Sequence, residues 1–370
     1  KVPNGEIYVL AKELVASVMK TARIDSWEVL ATVLGSDLEL IKTKHPLFDR
    51  DSLVITGDHV TLDAGTGCVH TAPGFGADDF IVCQRYNTPI IVPVDGKGRH
   101  TAESGKYEGM FVDDSNEVIL KDLDDCGALL ATEDIVHSYP HCWRCKNPII
   151  FRATPQWFCS VERFRDDALK VCADVTWTPA WGGDRMVSMI KERADWCISR
   201  QRYWGLPIPV FYCADCGEIV CDEKTIERVA SLFAESGSNV WFEKESSELL
   251  PAGYVCPKCG GVHFTKETDT LDGWFDSGST HFAVLDKRES LKWPADLYLE
   301  GADQYRGWFQ SSLLEAVAVR GGSPYKAVLT HGWTVDGEGK AMHKSLGNTV
   351  APEDMIKKYG AEMVRLWVAS

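Results

Sequence analysis

The 370-residue sequence contains no apolar run long enough to cross a membrane. It also has no basic segment followed by an apolar core, the pattern of a secretion signal. We therefore expect a cytoplasmic protein with no membrane partner. Positive charge is scarce as well, since 39 Lys and Arg stand against 54 Asp and Glu and the net charge is −15. This balance disfavours nucleic-acid binding by overall charge, so an RNA partner would require local basic patches or segments outside this chain.

Internal repeats and low-complexity tracts are absent too, and the length predicts two or three domains. The chain begins at Lys1 rather than at methionine, so we expect a piece of a longer protein. Residues 7–19 have helical spacing of Leu10, Leu14, Val15 and Val18. The short apolar runs that follow are broken by Gly, Pro and Asp, which predicts a barrel or a compact β-rich module.

The pattern changes near Pro148. Residues 147–161 are expected to form a buried strand, and residues 184–196 a helix that ends at Trp196. Residues 295–319 predict a strand, a glycine turn and a long helix, and residues 328–331 another strand. Residues 353–368 predict one amphipathic helix. Two strand-loop-helix units indicate a parallel sheet, so the fold class is α/β, with half of a doubly wound domain.

Thirteen cysteines, several in close pairs, favour metal ligation over disulfides in a chain without a secretion signal. The pairs Cys213/Cys216 and Cys256/Cys259 each have the C-x2-C spacing and are 39 residues apart. Two such pairs supply four thiolates for a structural Zn²⁺, and residues 210–268 would form a small zinc-ribbon-like insertion. Reduced core cysteines are the alternative.

Cys142 and Cys145 form a third C-x2-C pair for which this chain offers no matching partner pair. We interpret them as half of a zinc site whose other half lies upstream of Lys1. Two alternatives stay open. His137 and His141 would complete a local site, or the pair would be a redox motif, for which the surrounding sequence is unsuitable.

Three segments place polar residues where ligands commonly bind. A strand ending at His331 leads into a glycine-rich loop with Lys344, which can neutralise charge that develops on a phosphate. Glu300 ends another strand and precedes Asp303 and Gln304, which suit an ammonium and ribose hydroxyls, while Trp308 can wall an apolar pocket. The alternatives are a solvated surface hairpin and a capped helix with a core tryptophan.

The segment HTAPGFGADDF suits hydrolysis of an aminoacyl ester. His70 is expected to end a strand, Gly74 and Gly76 to let backbone approach a ligand, and Asp79 to hold an ammonium group. A glycine-rich hairpin with an aspartate at a helix start is an equally good interpretation.

Six segments together resemble the class I aminoacyl-tRNA synthetases, and among them the isoleucyl-tRNA synthetase family. They are HTAPGFGADD (70–79), PHCWRCKNPIIFRATPQWF (140–158), DWCISRQRYWGLPIP (195–209), DTLDGWFDSGSTH (269–281), YLEGADQYRGWFQSSL (298–313) and MHKSLGNTV (342–350). Valyl-tRNA synthetase is the nearest rival. The stretches WFDSGSTH and EGADQYRGWF favour isoleucine.

The resemblance implies ATP-dependent formation of isoleucyl-adenylate with Mg²⁺, transfer to tRNA(Ile) and hydrolytic editing of Val-tRNA(Ile) by a monomeric ligase. Lys344 would stabilise the ATP phosphates. The implied catalytic loop residues are Lys344, Ser345, Met342 and His343, and the implied adenylate and amino-acid contacts are Glu300, Gly301, Asp303, Gln304, Trp308, Trp274 and His331. The implied editing residues are His70, Asp79, Thr71 and Gly74. The implied zinc ligands are Cys213, Cys216, Cys256, Cys259, Cys142 and Cys145.

This chain departs from the family in several places. The usual K-M-S-K-S has Ala341 and His343 at two of its positions, and Lys340 is a candidate for the role of the lost lysine. A histidine of the family's editing segment is Phe75 here. The ten histidines include no H-x-G-H motif, and the threonine-rich editing segment and the C-terminal helical and anticodon-reading domains are not recognised.

We therefore expect an internal fragment that does not aminoacylate alone. Its expected domains are the later editing domain (1–137), a return to the catalytic domain (138–209), the zinc insertion (210–268), the second catalytic half (269–350) and the start of the connecting helices (351–370). A zinc-ribbon RNA-binding module without catalysis and a stand-alone deacylase are the competing hypotheses.

Overall fold

The computed structural model describes residues 1–142 and 145–369, with the side chain of Ser345 outside this description. The chain divides into two compact units, Lys1–Pro155 and Gln156–Ser370. Within the described part, no helix has the length and apolar character needed to span a bilayer.

The described residues of the first unit form three α-helices and one small sheet. The helices are α1 (Val15–Thr21), α2 (Ala77–Arg85) and α3 (Val112–Asp125), and the strands are β1 (Lys42–Lys44) and β2 (Asp51–Leu53). The two strands are antiparallel, with Thr43 opposite Ser52. Short 3₁₀ turns cover Lys12–Leu14, Gly35–Leu38 and Ala102–Tyr107.

The β-rich module predicted for the first unit is wrong. Among its described residues only β1 and β2 form a named sheet, because the apolar runs are interrupted by Gly, Pro and Asp before a longer ladder can form. His70 does not end a strand and lies in an irregular segment. The helix predicted over 7–19 begins only at Val15, after the 3₁₀ turn.

A three-stranded parallel sheet forms the centre of the second unit. Its strands β4 (Thr176–Thr178), β11 (Tyr298–Gly301) and β12 (Ala327–His331) lie in the order β11-β12-β4. Gly301 is opposite His331, so the carboxyl ends of β11 and β12 meet at one edge. The helix α10 (Trp308–Arg320) connects these two strands, which confirms the predicted strand, turn and helix.

Apolar side chains from the sheet and from α10 form the main core of the second unit. Phe309 and Leu313 of α10 are fully buried, as are Tyr305 before it and Met186 on α5 (Trp181–Lys191). Nine consecutive residues, Phe309–Val317, are buried, so α10 is enclosed on every side. A helix without an exposed face buries its polar side chains too, including Gln310 and Glu315.

A second core belongs to the cysteine-containing insertion. Its antiparallel strands β7 (Phe211–Cys213), β8 (Ile219–Val220) and β9 (Phe264–Lys266) lie in the order β8-β7-β9. Phe211 and Trp241 pack together with ring centroids 5.0 Å apart. The remaining elements of the unit are β3 (Phe158–Cys159), α4 (Arg165–Cys172), β5 (Trp196–Cys197), β6 (Ser199–Arg200), α6 (Glu223–Ser236), α7 (Val240–Glu243), α8 (Ser246–Leu249), β10 (Thr270–Leu271), α9 (Gly273–Gly278), α11 (Pro352–Tyr359) and α12 (Ala361–Ala369).

Three element boundaries differ from the sequence predictions. Of the strand expected over 147–161, only β3 forms, and Phe151 is 66% exposed. The helix expected to end at Trp196 is α5, which ends at Lys191, and Trp196 begins β5. The single C-terminal helix is broken into α11 and α12 because Gly360 adopts φ 87°, outside the helical range.

Candidate functional site

The turn between β11 and α10 brings together the residues predicted to bind an amino acid. At Gly301 there is no room for a side chain, since a Cβ would lie 2.7 Å from Asp303 Oδ1 and 3.3 Å from His331 Cε1. The Asp303 carboxylate therefore lies over Gly301, next to the imidazole that ends β12. Gln304 Nε2 donates to Asp303 Oδ2 at 3.0 Å. Glu300 is exposed at the same sheet edge.

Two tryptophans lie on either side of the end of this turn. A Cβ at Gly307 would come within 2.8 Å of the Trp274 ring, so Trp274 packs directly over the Gly307 backbone. Trp274 stays 45% exposed. Trp308 stacks on Tyr298 with ring centroids 4.0 Å apart, and its Nε1 donates to Ser277 O at 3.0 Å. Both expected pocket tryptophans thus adjoin the turn.

Asp272 anchors the short helix α9 that carries Trp274. Its carboxylate is 6% exposed, accepts from Trp196 Nε1 at 3.0 Å and forms an ion pair with Arg200 Nη2 at 3.0 Å. The same side chain accepts from the backbone N–H of Trp274 and caps the helix. The sequence analysis missed Asp272, whose only signal was its place as an N-cap before GWF.

The loop after β12 carries the predicted catalytic lysine in a 3₁₀ turn, Lys344–Leu346. Lys344 is exposed and, among the described residues, forms no ion pair. Asp336 organises the loop, because its carboxylate accepts from the backbone N–H of Lys340 at 2.9 Å and from Asn348 Nδ2 at 2.7 Å. These bonds lower the pKa of Asp336, with Asn348 the largest cause.

The other residues of the signature loop have different surroundings. Met342 is half-buried and its backbone N–H donates to Thr334 O, while the backbone N–H of His343 donates to Asn348 Oδ1 at 2.9 Å. Lys340 forms an exposed ion pair with Glu338 at 2.8 Å. The predicted role of Ser345 rests on a side chain outside the described residues. The available cation of the loop is thus Lys344 rather than Lys340.

The four cysteines of the insertion converge on one point. Their Sγ atoms all lie within 4.8 Å of one another, and the closest pairs are Cys213/Cys259 at 3.6 Å and Cys216/Cys256 at 3.7 Å. Tetrahedral zinc with Zn–S bonds of about 2.3 Å requires sulfur atoms about 3.8 Å apart. The donor set and its spacing therefore fit Zn²⁺, and no disulfide joins the cysteines.

Each cysteine pair lies on the same kind of turn. Cys213 N–H donates to Glu218 O and Cys256 N–H to Gly261 O, at 2.9 and 2.8 Å. Gly217 and Gly260 have φ of 73° and 75°, a conformation that glycine adopts without strain. The backbone amides of Cys259 and Lys258 lower the pKa of Cys256 to about 7. The Gly261 amide lowers the pKa of Cys259, but the neighbouring Cys216 thiol and burial raise it to about 12. The four sulfur atoms therefore share protons that metal binding would release.

Around the third pair, the described residues form two backbone hydrogen bonds like those of the other pairs. Cys142 N–H donates to Asn147 O at 2.8 Å, Lys146 N–H donates to Cys142 O at 2.8 Å, and Lys146 has φ 63°. The four-cysteine cluster is the single group of three or more metal-ligating side chains that the described residues bring together. His137 and His141 are not part of that cluster, and the interpretation of Cys142 and Cys145 as half of a zinc site stays a prediction.

In the first unit, Asp79 faces a histidine that the sequence analysis did not select. Asp79 Oδ2 accepts from the backbone N–H of Ala72 at 2.8 Å, and Asp79 Oδ1 lies 3.6 Å from His59 Nε2. The buried Nε2 of His59 has no hydrogen-bond partner among the described residues. His59 is a lone histidine in the sequence and carried no motif that could have identified it.

His70 and Thr71 line a cleft of about 1780 Å³ in the first unit. Gly74 does not line it, because its Cα position faces the Ile91 carbonyl, where a Cβ would lie 2.5 Å from the oxygen. Gly76 is likewise packed against the Asp79 carboxylate. Both glycines thus allow close packing within the protein at the positions where ligand approach was predicted.

The sequence that forms these sites matches a known protein family. The family model of tRNA synthetases class I (I, L, M and V) matches residues 9–370. The chain belongs to this family. The chain accordingly has a class I synthetase catalytic fold of mixed α and β content.

The relatives of this class I chain include several named isoleucine–tRNA ligase. The protein of Caldicellulosiruptor bescii is 60% identical over 367 residues, that of Caldicellulosiruptor saccharolyticus 59% over 367, and that of Moorella thermoacetica 55% over 365. Each match covers 99% of this chain. The chain spans 39 to 40% of the length of these relatives.

Among solved structures, LeuRS in a ternary LeuRS-tRNA-LeuAMS complex from Agrobacterium radiobacter K84 matches with a TM-score of 0.31 and 24% identity. That match covers 47% of this chain and 24% of the solved chain.

Proposed function

We propose that this chain is the part of an isoleucine–tRNA ligase that holds the second half of the adenylation site and a portion of the editing domain. The supporting observation is its identity of 54 to 60% with proteins named isoleucine–tRNA ligase over 98 to 99% of its length. No relative named here is a valyl enzyme, which leaves isoleucine favoured over valine.

The turn between β11 and α10 is the proposed isoleucine site. Asp303, lying over Gly301, offers a carboxylate to the ammonium group, and Glu300 supplies a second acidic side chain at the same edge. Trp274 and Trp308 give the apolar surface for the branched side chain. Gln304 and His331 are the proposed contacts to the adenylate, with ribose hydroxyls as their partners.

Lys344 is the proposed phosphate-binding cation. Its exposed ammonium sits on a loop that Asp336 and Asn348 hold in shape, so it can reach a triphosphate without breaking an ion pair. The carboxylate of isoleucine attacks the α-phosphorus of ATP, pyrophosphate leaves, and the lysine neutralises charge on the phosphate oxygens. Mg²⁺ accompanies ATP as part of the substrate.

The cleft of the first unit is the proposed site for hydrolysis of Val-tRNA(Ile). His70 and Thr71 line it, and Asp79, fixed by Ala72 N–H, is the proposed ammonium acceptor. Editing is chemically necessary because one methylene gives only about 1–3 kcal/mol of discrimination. We include His59 as an additional candidate because it faces Asp79.

Zn²⁺ is the proposed occupant of the four-cysteine cluster, where it would be structural because four thiolates leave no open position. We assign residues 1–137 to the editing domain, 138–209 and 269–350 to the catalytic domain, 210–268 to the zinc insertion and 351–370 to the connecting helices. The whole ligase would act on isoleucine, ATP and tRNA(Ile) as a monomer in the cytoplasm.

ATP–pyrophosphate exchange tests the proposal, with isoleucine, valine and leucine compared at equal concentrations. The assay is run on this chain alone and after adding an N-terminal segment that supplies H-x-G-H. Exchange in the mixture but not by the chain alone, fastest with isoleucine, supports the proposal. Exchange that is fastest with valine in that mixture would reassign the chain to a valyl enzyme.

A further inference from the structure

A cluster of buried polar groups lies between α9 and α10, next to the residues proposed to hold isoleucine. Glu315 on α10 is 8% exposed, and its Oε1 has no hydrogen-bond partner among the described residues. Asp276 on α9 also has a buried, unpartnered oxygen, Oδ1. Two carboxyl groups without a compensating cation cannot both be charged in such a place without a large cost.

The two helices approach each other closely at Glu315. A Cβ at Gly278 would lie 2.1 Å from Glu315 Oε1 and 3.0 Å from the backbone carbon of Ser311. The glycine therefore lets the Glu315 carboxyl fit directly against the end of α9. A neutral carboxyl packs into this space without a charge, whereas an ionised one brings a charge that the surroundings do not solvate.

α9 and α10 also carry the two aromatic walls of the proposed isoleucine site. Trp274 is on α9, and Trp308 on α10 donates from Nε1 to Ser277 O of α9 and to Thr280 Oγ1. Any displacement of α9 from α10 therefore breaks the Trp308 bonds and moves Trp274 away from Gly307. The positions of Trp274 and Trp308 therefore depend on the packing of α9 and α10 at Glu315.

We propose that Glu315 is a positioning residue whose neutral carboxyl holds α9 against α10 and so fixes Trp274 and Trp308. This inference relies on the proposed function only for what the two tryptophans bind. Ionisation of Glu315 would weaken the packing of α9 on α10 and displace the tryptophans that line the proposed isoleucine site.

The groups around Glu315 support a neutral form at physiological pH. Burial first, and then the Asp276 carboxylate, raise the pKa of Glu315 to about 9. Burial also raises the pKa of Asp276, with Asp272 as a further cause. Tyr298 on β11 and Cys159 on β3 face Glu315, and burial raises the pKa of both, so neither is charged.

Two other titratable groups lie in the same region. His281, beside Ser312 on α10, has its pKa lowered to about 4 by burial, so it stays neutral. The guanidinium of Arg193 bonds to the side chain of Gln310, one turn of α10 away from the Glu315 carboxyl.

The pH dependence follows from the direction of the shift. The folded chain binds the Glu315 proton more tightly than the unfolded chain, whose Glu pKa is near the ordinary 4.5. Stability from this group is therefore complete below pH 4.5 and is lost as pH rises through about 9.

The test is an indole and carboxyl NMR titration of the full 370-residue chain between pH 6 and 10, together with Tm at each pH. The chain is compared with Glu315→Gln, with Asp276→Asn, and with Glu235→Gln, a control on an exposed glutamate of α6. The isosteric glutamine keeps the shape of the neutral carboxyl and cannot ionise, so E315Q should fold.

We expect the Trp308 indole signal of the wild-type chain to shift with a midpoint near pH 9, together with a falling Tm. E315Q should lose that transition and keep its Tm to higher pH, and D276N should lower the midpoint. E235Q should behave as wild type. A Glu315 carboxyl that titrates near 4.5, or an alkaline transition unchanged in E315Q, would overturn the proposal. Neither result depends on amino-acid activation.

Discussion

At the residue scale, the four insertion cysteines are the best-defined chemical group in the chain. Their sulfur atoms form pairs 3.6 and 3.7 Å apart on two matching turns. Two C-x2-C pairs in sequence were sufficient to predict this site, because the turn that each pair forms is a local property. The distance of 39 residues between the pairs did not matter, since β7 and β9 bring them together.

Loss of a single zinc ligand should unfold the insertion. Cys259→Ser removes one of four thiolates, so we expect the zinc content to fall from one to near zero per chain and the Tm to drop. Metal content is measured by plasma mass spectrometry after dialysis. Cys221→Ser is the matched control, as Cys221 lies in the same insertion but outside the cluster. Equal zinc in C259S and C221S would contradict the assignment.

Asp272 should contribute more to stability than an ordinary surface acid. Its buried carboxylate bonds to Trp196, Arg200 and the Trp274 N–H, so Asp272→Asn should cost about 2 kcal/mol of the free energy of unfolding. Asp286→Asn, which removes a partly exposed ion pair with Arg320, should cost under about 1 kcal/mol. Urea denaturation at pH 7 measures both, and equal losses would show that burial of Asp272 is unimportant.

The residues that the sequence did not reveal are those defined by long-range packing. His59 lies 3.6 Å from Asp79, and Glu315 lies against Gly278, but no spacing rule connects either pair. Asp303 and Gln304 could be selected because they follow a predicted strand and His331 because it ends one, and the parallel register of β11 and β12 brings the strand ends together.

At the element scale, the strand, turn and helix around β11 and α10 were predictable because they are local. The apolar run before Glu300 is short, as in a strand, the apolar segment after Gly307 is long enough for a helix, and Gly301 and Gly307 mark the turn. The buried strand predicted over 147–161 was wrong because an apolar run resembles a buried strand whether it lies in the core or at the surface. Most of that segment is exposed, and only β3 pairs, with β5.

The C-terminal helices are a second case in which the sequence pattern predicted the wrong element boundary. Met355, Ile356, Tyr359, Met363 and Leu366 fit one continuous amphipathic face, yet Gly360 ends α11. A single glycine within a helical pattern is often tolerated, so periodicity alone could not predict the break.

The close packing of the turn on Trp274 predicts a strong effect of a small substitution. Gly307→Ala would place a methyl group 2.8 Å from the Trp274 ring, so we expect isoleucine-dependent exchange to fall at least about tenfold with a raised KM. Gly273→Ala is the control on the adjacent helix, where no atom lies within 4 Å of the added Cβ. Similar losses in the two variants would remove the argument from pocket geometry.

At the scale of the whole molecule, the net charge of −15 weakens the electrostatic attraction between this chain and RNA. We expect its Kd for tRNA(Ile) to be weaker than about 1 μM at physiological salt, since it lacks the basic excess that gives charge-driven binding. Filter binding over a series of salt concentrations measures this. A tighter Kd that weakens steeply with salt would favour an RNA-binding module.

The fold class and the family could be recognised from the sequence because six separated segments occur in order along the chain. The extent of the first unit's sheet could not, because short apolar runs broken by Gly, Pro and Asp resemble strands whether or not they pair. Each compact unit has its own packing, and the residues proposed for adenylation lie in the second unit while those proposed for editing lie in the first.

We propose that the β11–α10 turn and Lys344 serve one isoleucine adenylation site. The most direct measurement is isoleucine-dependent ATP–pyrophosphate exchange in the complemented mixture, with wild type, Lys344→Ala and Lys340→Ala compared. Lys344 forms no ion pair among the described residues, whereas Lys340 is paired with Glu338. We predict a loss of about 10²-fold or more for K344A and a change of less than about threefold for K340A. A larger loss in K340A than in K344A, or full exchange by K344A, would contradict this account.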